Sequence, residues 1–141
     1  MNLLVVDDDQ AHLFLTRDAL ERAGFAVEEA AGGEQGLIAA ERMRPDLVVL
    51  DVMMPMVDGY AVCAELRRKP EFMHLPILMV TAVDDVESID RAFEVGATNL
   101  VVKPCNWTLL VYHIKYLLRS SQIEDELRKT KELTQLARAS L

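Results

Sequence analysis

Five short apolar runs punctuate the chain at Leu3–Val6, Phe25–Glu29, Leu47–Leu50, Ile77–Thr81 and Leu100–Val102. Three of them (LLVV, LVVL, ILMV) are continuously apolar. A strand wet on one face alternates polar and apolar residues, whereas a parallel strand covered on both faces does not. Amphipathic segments fill the intervals near 11–23, 33–44, 59–69, 86–95 and from 106 onward. Gly24 and Gly96 follow the first and fourth of these, where a helix needs a left-handed stop. Pro45 blocks extension of the second and Pro70 follows the third. In the last segment Trp107, Leu110, Ile114 and Leu117 recur at three- and four-residue spacing, a stripe suited to docking on a sheet. Five β-α repeats with short, right-handed connections predict an α/β fold, a (βα)5 doubly wound parallel sheet.

The 141 residues suit one domain. The longest stretch without Asp, Glu, Lys or Arg is Phe72–Val83, broken by Pro76. A membrane span needs about 20 apolar residues, so none is expected. The opening MNLLVVDDDQ lacks the basic start of a signal peptide. Two cysteines, Cys63 and Cys105, make no disulfide framework, which points to a reducing cytoplasm. His12, His74 and His113 form no metal-ligand spacing. The formal charge of −8 argues against direct binding of nucleic acid. All of it falls in residues 1–119, with 19 acids against 11 bases; 120–141 is neutral.

Ligands of open α/β sheets bind beyond the carboxyl ends of the strands. Asp7, Asp8 and Asp9 follow the first run, Asp51 the third, Thr81 ends the fourth, and Lys103-Pro104 follows the fifth. Two like charges about 4 Å apart repel by about 4 kcal/mol at an effective dielectric of 20. Asp7, Asp8 and Asp51 together therefore call for a hard divalent cation, and Mg2+ fits. Phosphoryl transfer needs a metal, a cation and hydrogen-bond donors around the phosphoryl oxygens, roles for Mg2+, Lys103 and Thr81. Asp51 is the natural nucleophile, giving an acyl phosphate. A cis bond before Pro104 would aim the lysine. Asp9 and Asp58 read instead as helix N-caps. Met53, Met54 and Met56 around Pro55 read as packing, not a soft-metal box.

Taken together, LLVVDDD at 3–9, DLVVLDVMMPMVDG at 46–59, PILMVTA at 76–82 and GATNLVVKP at 96–104 resemble the response-regulator receiver domain of two-component signalling. The resemblance covers residues 1–119 and implies a flavodoxin-like sheet of order 2-1-3-4-5. By it Asp51 looks like the phospho-acceptor, with a histidine kinase or histidine phosphotransfer protein as donor. Asp7 and Asp8 look like the acidic pair organising Mg2+, with Asp51 and the Met53 backbone carbonyl as further ligands. Thr81 looks like the switch hydroxyl and Lys103 the phosphate-binding lysine. Such a domain is a signalling switch, not an enzyme with a separate substrate. A phosphatase using Asp7-x-Asp9, as in haloacid-dehalogenase-type enzymes, and a phosphate-independent scaffold are the competing readings.

Two departures matter. Leu100 stands where the family usually has Tyr or Phe, so the activation signal is expected to leave partly by dimer formation or the last helix. Cys105, after Lys103-Pro104, is a small hydrophobe. Met53 and Val83, two residues beyond Asp51 and Thr81, cannot hold an attacking water by hydrogen bonds. Loss of the phosphoryl group is therefore expected to be slow; a half-life of seconds without a phosphatase contradicts this.

Helix-forming residues continue past Arg119 without Pro or Gly. Ile123, Leu127, Thr130, Thr134, Ala137 and Leu141 mark a weak heptad seam. Residues 120–141 are expected to form an extended C-terminal helix, either solvated alone or pairing two copies. The alternative surface expected for a homodimer is the face of the fourth helix, fifth strand and fifth helix. The run NWTLLVYHIKYLLRSSQ at 106–122 is similar to linkers that join receivers to PAS, cyclic-di-GMP-handling or histidine kinase domains, as in an N-terminal piece of a longer protein.

Overall fold

The structure, a computed structural model, describes residues 1–82, 85–103 and 106–140. Five parallel strands, β1 (Asn2–Val6), β2 (Ala26–Ala30), β3 (Leu47–Asp51), β4 (Ile77–Thr81) and β5 (Asn99–Val102), form one sheet of order β2-β1-β3-β4-β5. Helices α1 (Gln10–Arg22), α2 (Gly33–Met43), α3 (Gly59–Arg67), α4 (Val86–Glu94) and α5 (Trp107–Ala139) follow the strands in turn. The expected fold and strand order are both found.

Successive residues of the central strands enter opposite cores. Leu3, Val5, Leu47, Val49, Leu78 and Val80 pack with Leu13 and Leu20 of α1 and Leu110, Ile114 and Leu117 of α5. Leu4, Val6, Val48, Leu50, Ile77 and Met79 pack with Ala39, Val62, Leu66 and Ala92 on the other side. Continuous apolar runs follow directly, because neither strand face meets water. Each such side chain contributes about 1.5–3 kcal/mol by leaving water.

The strand ends are set by local chemistry. Gly24 and Gly96 sit at φ 96° and 101°, where a side chain would be strained. The helix-closing bonds that follow run from Phe25 N–H to the Leu20 carbonyl and from Ala97 N–H to the Ala92 carbonyl. Because Phe25 spends its N–H on that closure, β2 begins one residue later than expected, at Ala26. After α3 the chain makes a short 3₁₀ turn, Pro70–Phe72, where only a helix stop was expected. Arg67 fastens this region, donating from Nε to the Gly96 carbonyl and from Nη1 to the Phe72 carbonyl, each at 2.8 Å.

α5 is one unbroken helix of 33 residues, roughly 50 Å long at 1.5 Å per residue. It is buried only as far as Leu118, and Ile123, Leu127, Leu133 and Leu136 are exposed. Leu141 of the heptad seam lies outside the described residues. No helix among the described residues is long and apolar enough to cross a membrane. Cys63 is free and buried, which pushes its thiol up to about 11 and makes it a poor nucleophile; Cys105 lies outside the described residues.

Candidate functional site

The parallel register brings four strand exits to one edge. Val6 pairs with both Ala30 and Leu50, so the residues after β1 stand beside the end of β3. Asp51 pairs with Val80, and Thr81 with Val102, one residue before Lys103. Backbone bonds lock these exits: Val52 N–H to the Val80 carbonyl at 3.0 Å, and Lys103 N–H to the Thr81 carbonyl at 2.7 Å. Gly59 makes the return possible. Its N–H donates to the Val52 carbonyl at 2.9 Å, and a Cβ there would lie 2.3 Å from the Asp51 carbonyl oxygen. α3 can therefore start this close to the end of β3 only with glycine at position 59.

Asp7, Asp8 and Asp51 each offer a carboxylate oxygen, and these atoms lie within 4.8 Å of one another. Asp7 and Asp51 are buried while Asp8 is exposed. Asp51 Oδ1 makes no hydrogen bond among the described residues and lies 3.2 Å from Lys103 Nζ. Burial, then the charge of Asp7, push the Asp51 carboxyl up to about 6, against the opposing charge of Lys103. A buried, underpartnered oxygen among like charges is what a hard cation would satisfy, so the donor set fits Mg2+. Thr81 is buried at the adjacent exit.

Asp9 and Asp58 are N-caps as expected: Asp9 accepts from Ala11 N–H and His12 N–H, Asp58 from Ala61 N–H. Asp9 Oδ1 thus serves the start of α1, and the carboxylates gathered together are those of Asp7, Asp8 and Asp51. The methionine expectation needs correction. Met54 is buried, but Met53 and Met56 are exposed. Val57 N–H closes on the Pro55 carbonyl at 2.8 Å, and Met56 takes φ 67° at the turn, which throws its side chain into solvent. Leu100 is partly buried against the core that holds Tyr60 and Ala92. Val83 and the bond before Pro104 lie outside the described residues. His12 has no ligand spacing in the sequence, yet its Nδ1 is 2.5 Å from Asp7 Oδ2. The usable signal was its place on the first turn of the helix that Asp9 starts.

Residues 3–115 match the response regulator receiver domain. The chain belongs to that family. It is 34% identical over 131 residues to the DNA-binding dual master transcriptional regulator RpaA of Synechocystis sp., covering 93% of this chain and 54% of that protein. It is 40% identical over 121 residues to the alkaline phosphatase synthesis transcriptional regulatory protein PhoP of Bacillus subtilis, covering 86% and 50%. The solved structure of chemotaxis protein CheY4 from Vibrio cholerae superimposes with a TM-score of 0.79 at 32% identity, over 82% of this chain and 97% of that one. The chain spans about half the length of these two curated relatives.

Proposed function

We propose that this receiver domain takes a phosphoryl group onto Asp51 from a phosphohistidine donor, a sensor histidine kinase or a histidine phosphotransfer protein, in the cytoplasm. The observation that carries this is the Asp7, Asp8 and Asp51 cluster with Lys103 Nζ 3.2 Å from the Asp51 oxygen that makes no hydrogen bond among the described residues. An Asp51 oxygen attacks phosphorus, the P–N bond breaks, and the departing imidazole nitrogen takes a proton. Asp7, Asp8, Asp51 and the Met53 carbonyl would hold Mg2+, which supplies charge neutralisation for the phosphoryl oxygens. Lys103 neutralises a further oxygen, and the Thr81 hydroxyl donates to the phosphoryl group once it is in place. The chain thereby catalyses only its own modification and turns over no other substrate.

The output is a change of association. Residues 1–119 act as the switch and 120–141 as a signalling helix whose exposed Ile123 and Leu127 fit a seam with a second copy. The α4–β5–α5 face is the alternative dimer surface. RpaA is by its name a DNA-binding regulator; here the acidic balance of residues 1–119 favours a switch that makes no direct contact with DNA. With Mg2+ and beryllium fluoride, a phosphoryl mimic, the chain is expected to sediment as a dimer, and removal of 120–141 to weaken that dimer. A monomer with the mimic bound would take dimerisation out of this account; failure of Asp51 to bind the mimic with Mg2+ would remove the phospho-acceptor reading itself.

A further inference from the structure

His12 stands between the acidic cluster and the start of α5. Its Nδ1 lies 2.5 Å from Asp7 Oδ2, and its ring centroid is 5.5 Å from that of Trp107 with the planes tilted by 45°. An Asp7 carboxylate ionised to hold a cation can only accept, so a hydrogen bond at this contact calls for the Nδ1–H tautomer of His12. The other Asp7 oxygen accepts from Asp9 N–H at 2.9 Å. Both oxygens of Asp7 are thus held by protein donors, and each keeps a lone pair for a cation. The Asp7 side chain is 3% exposed and that of His12 19%, so water competes little for this bond.

The backbone that carries the ring is held on both sides. Asp9 accepts from His12 N–H, and the His12 carbonyl accepts from Thr16 Oγ1 at 2.8 Å, which ties the residue into the first turns of α1. On its other side Trp107 opens α5 and packs against the core formed by Leu110, Ile114 and Leu117. A movement of the Asp7 carboxylate therefore meets a ring that is backed by the first residue of the 33-residue helix.

We propose that His12 is a positioning residue that orients the Asp7 carboxylate for a divalent cation and, through its contact with Trp107, links that carboxylate to the start of α5. This rests on reading the acidic cluster as a Mg2+ site. It supplies a route out of the site that does not need an aromatic ring at position 100. A hydrogen-bond partner of a metal ligand changes metal affinity by roughly 10–100-fold when removed. If His12 only filled the α1–α5 interface, its loss would lower stability and leave the affinity alone.

The test uses the whole chain and Mg2+ alone, followed by calorimetry and by the emission of Trp107, the one tryptophan. Wild type is expected to bind Mg2+ with a change in emission. His12→Leu should bind about 10-fold more weakly and lose the emission change even at saturation. His12→Gln, which restores a side-chain N–H donor without a ring, should regain most of the affinity but not the emission change. Wild-type affinity in the folded leucine variant overturns the positioning role. An unaltered emission change in either variant overturns the link to α5. Should the leucine variant not fold, the glutamine variant decides: affinity near wild type with the emission change lost supports the proposal, and a 10-fold loss of affinity overturns the hydrogen-bond argument. No heat of Mg2+ binding to wild type would sink the metal site as a whole, an outcome distinct from failure of His12 alone.

Discussion

Without Mg2+, the chain is expected to be more stable near about pH 5 than near about pH 7.5, against the common trend for acidic proteins. Asp51 is the reason. Its carboxyl is raised from 3.8 to about 6, first by burial and then by the charge of Asp7. For an acid whose folded value exceeds its unfolded value, the fold binds the proton more tightly than the open chain does. The resulting stability is complete below 3.8 and is lost as the pH rises through about 6. Each tenfold change in proton affinity is worth about 1.4 kcal/mol, so the ionised carboxylate costs the fold on the order of 3 kcal/mol at neutral pH.

Mg2+ should reverse this. A cation bound at 100 times its dissociation constant stabilises the folded state by about 2.7 kcal/mol. Urea denaturation at the two pH values, with and without Mg2+, reads both effects. Asp51→Asn isolates them: the variant should be more stable than wild type at the higher pH without metal, and should gain far less from Mg2+. Equal wild-type stability at both pH values without Mg2+, together with an unchanged pH profile in the asparagine variant, would show that the cluster carries no electrostatic strain.

Lys103→Ala should slow phosphoryl uptake from a small acyl phosphate donor by about 10²–10³-fold at saturating Mg2+. The ammonium is 3.2 Å from Asp51 Oδ1 and its side chain is one-quarter exposed, so it can meet an incoming phosphoryl oxygen without being desolvated first. Its removal also takes away the nearby positive charge that opposes the rise in the Asp51 carboxyl. Lys103→Arg should recover only part of the rate, because a planar fork cannot replace a compact point charge at this distance. Uptake by the alanine variant within about twofold of wild type would exclude Lys103 from the charge stabilisation that transfer requires.

Much of the fold was legible in the residues themselves. LLVV, LVVL and ILMV announce two-sided burial because residues 3 and 4, 47 and 48, or 77 and 78 go to opposite cores. Polar residues at strand exits then converge by the geometry of a parallel sheet. The caps at Asp9 and Asp58 were equally plain, since each is a short acid at the start of an amphipathic stretch. What escaped depends on tertiary approach. The His12–Asp7 bond needs the angle at which α1 leaves β1, which no spacing in the sequence specifies. The start of β2 depends on a carbonyl at Leu20 claiming the N–H of Phe25. Met53 and Met56 read as packing residues around Pro55 yet are exposed, Met56 because the chain turns sharply after Pro55 with Met56 at φ 67°.

The phospho-acceptor assignment meets its most direct test in the intact mass of the chain after incubation with Mg2+ and a small phosphodonor, followed by peptide mapping of the modified residue. The account predicts the addition of one phosphoryl group, located at Asp51, absent with a chelator and absent in Asp51→Asn. A phosphoryl group found on another residue, or no mass change in a folded chain that binds Mg2+, would contradict it.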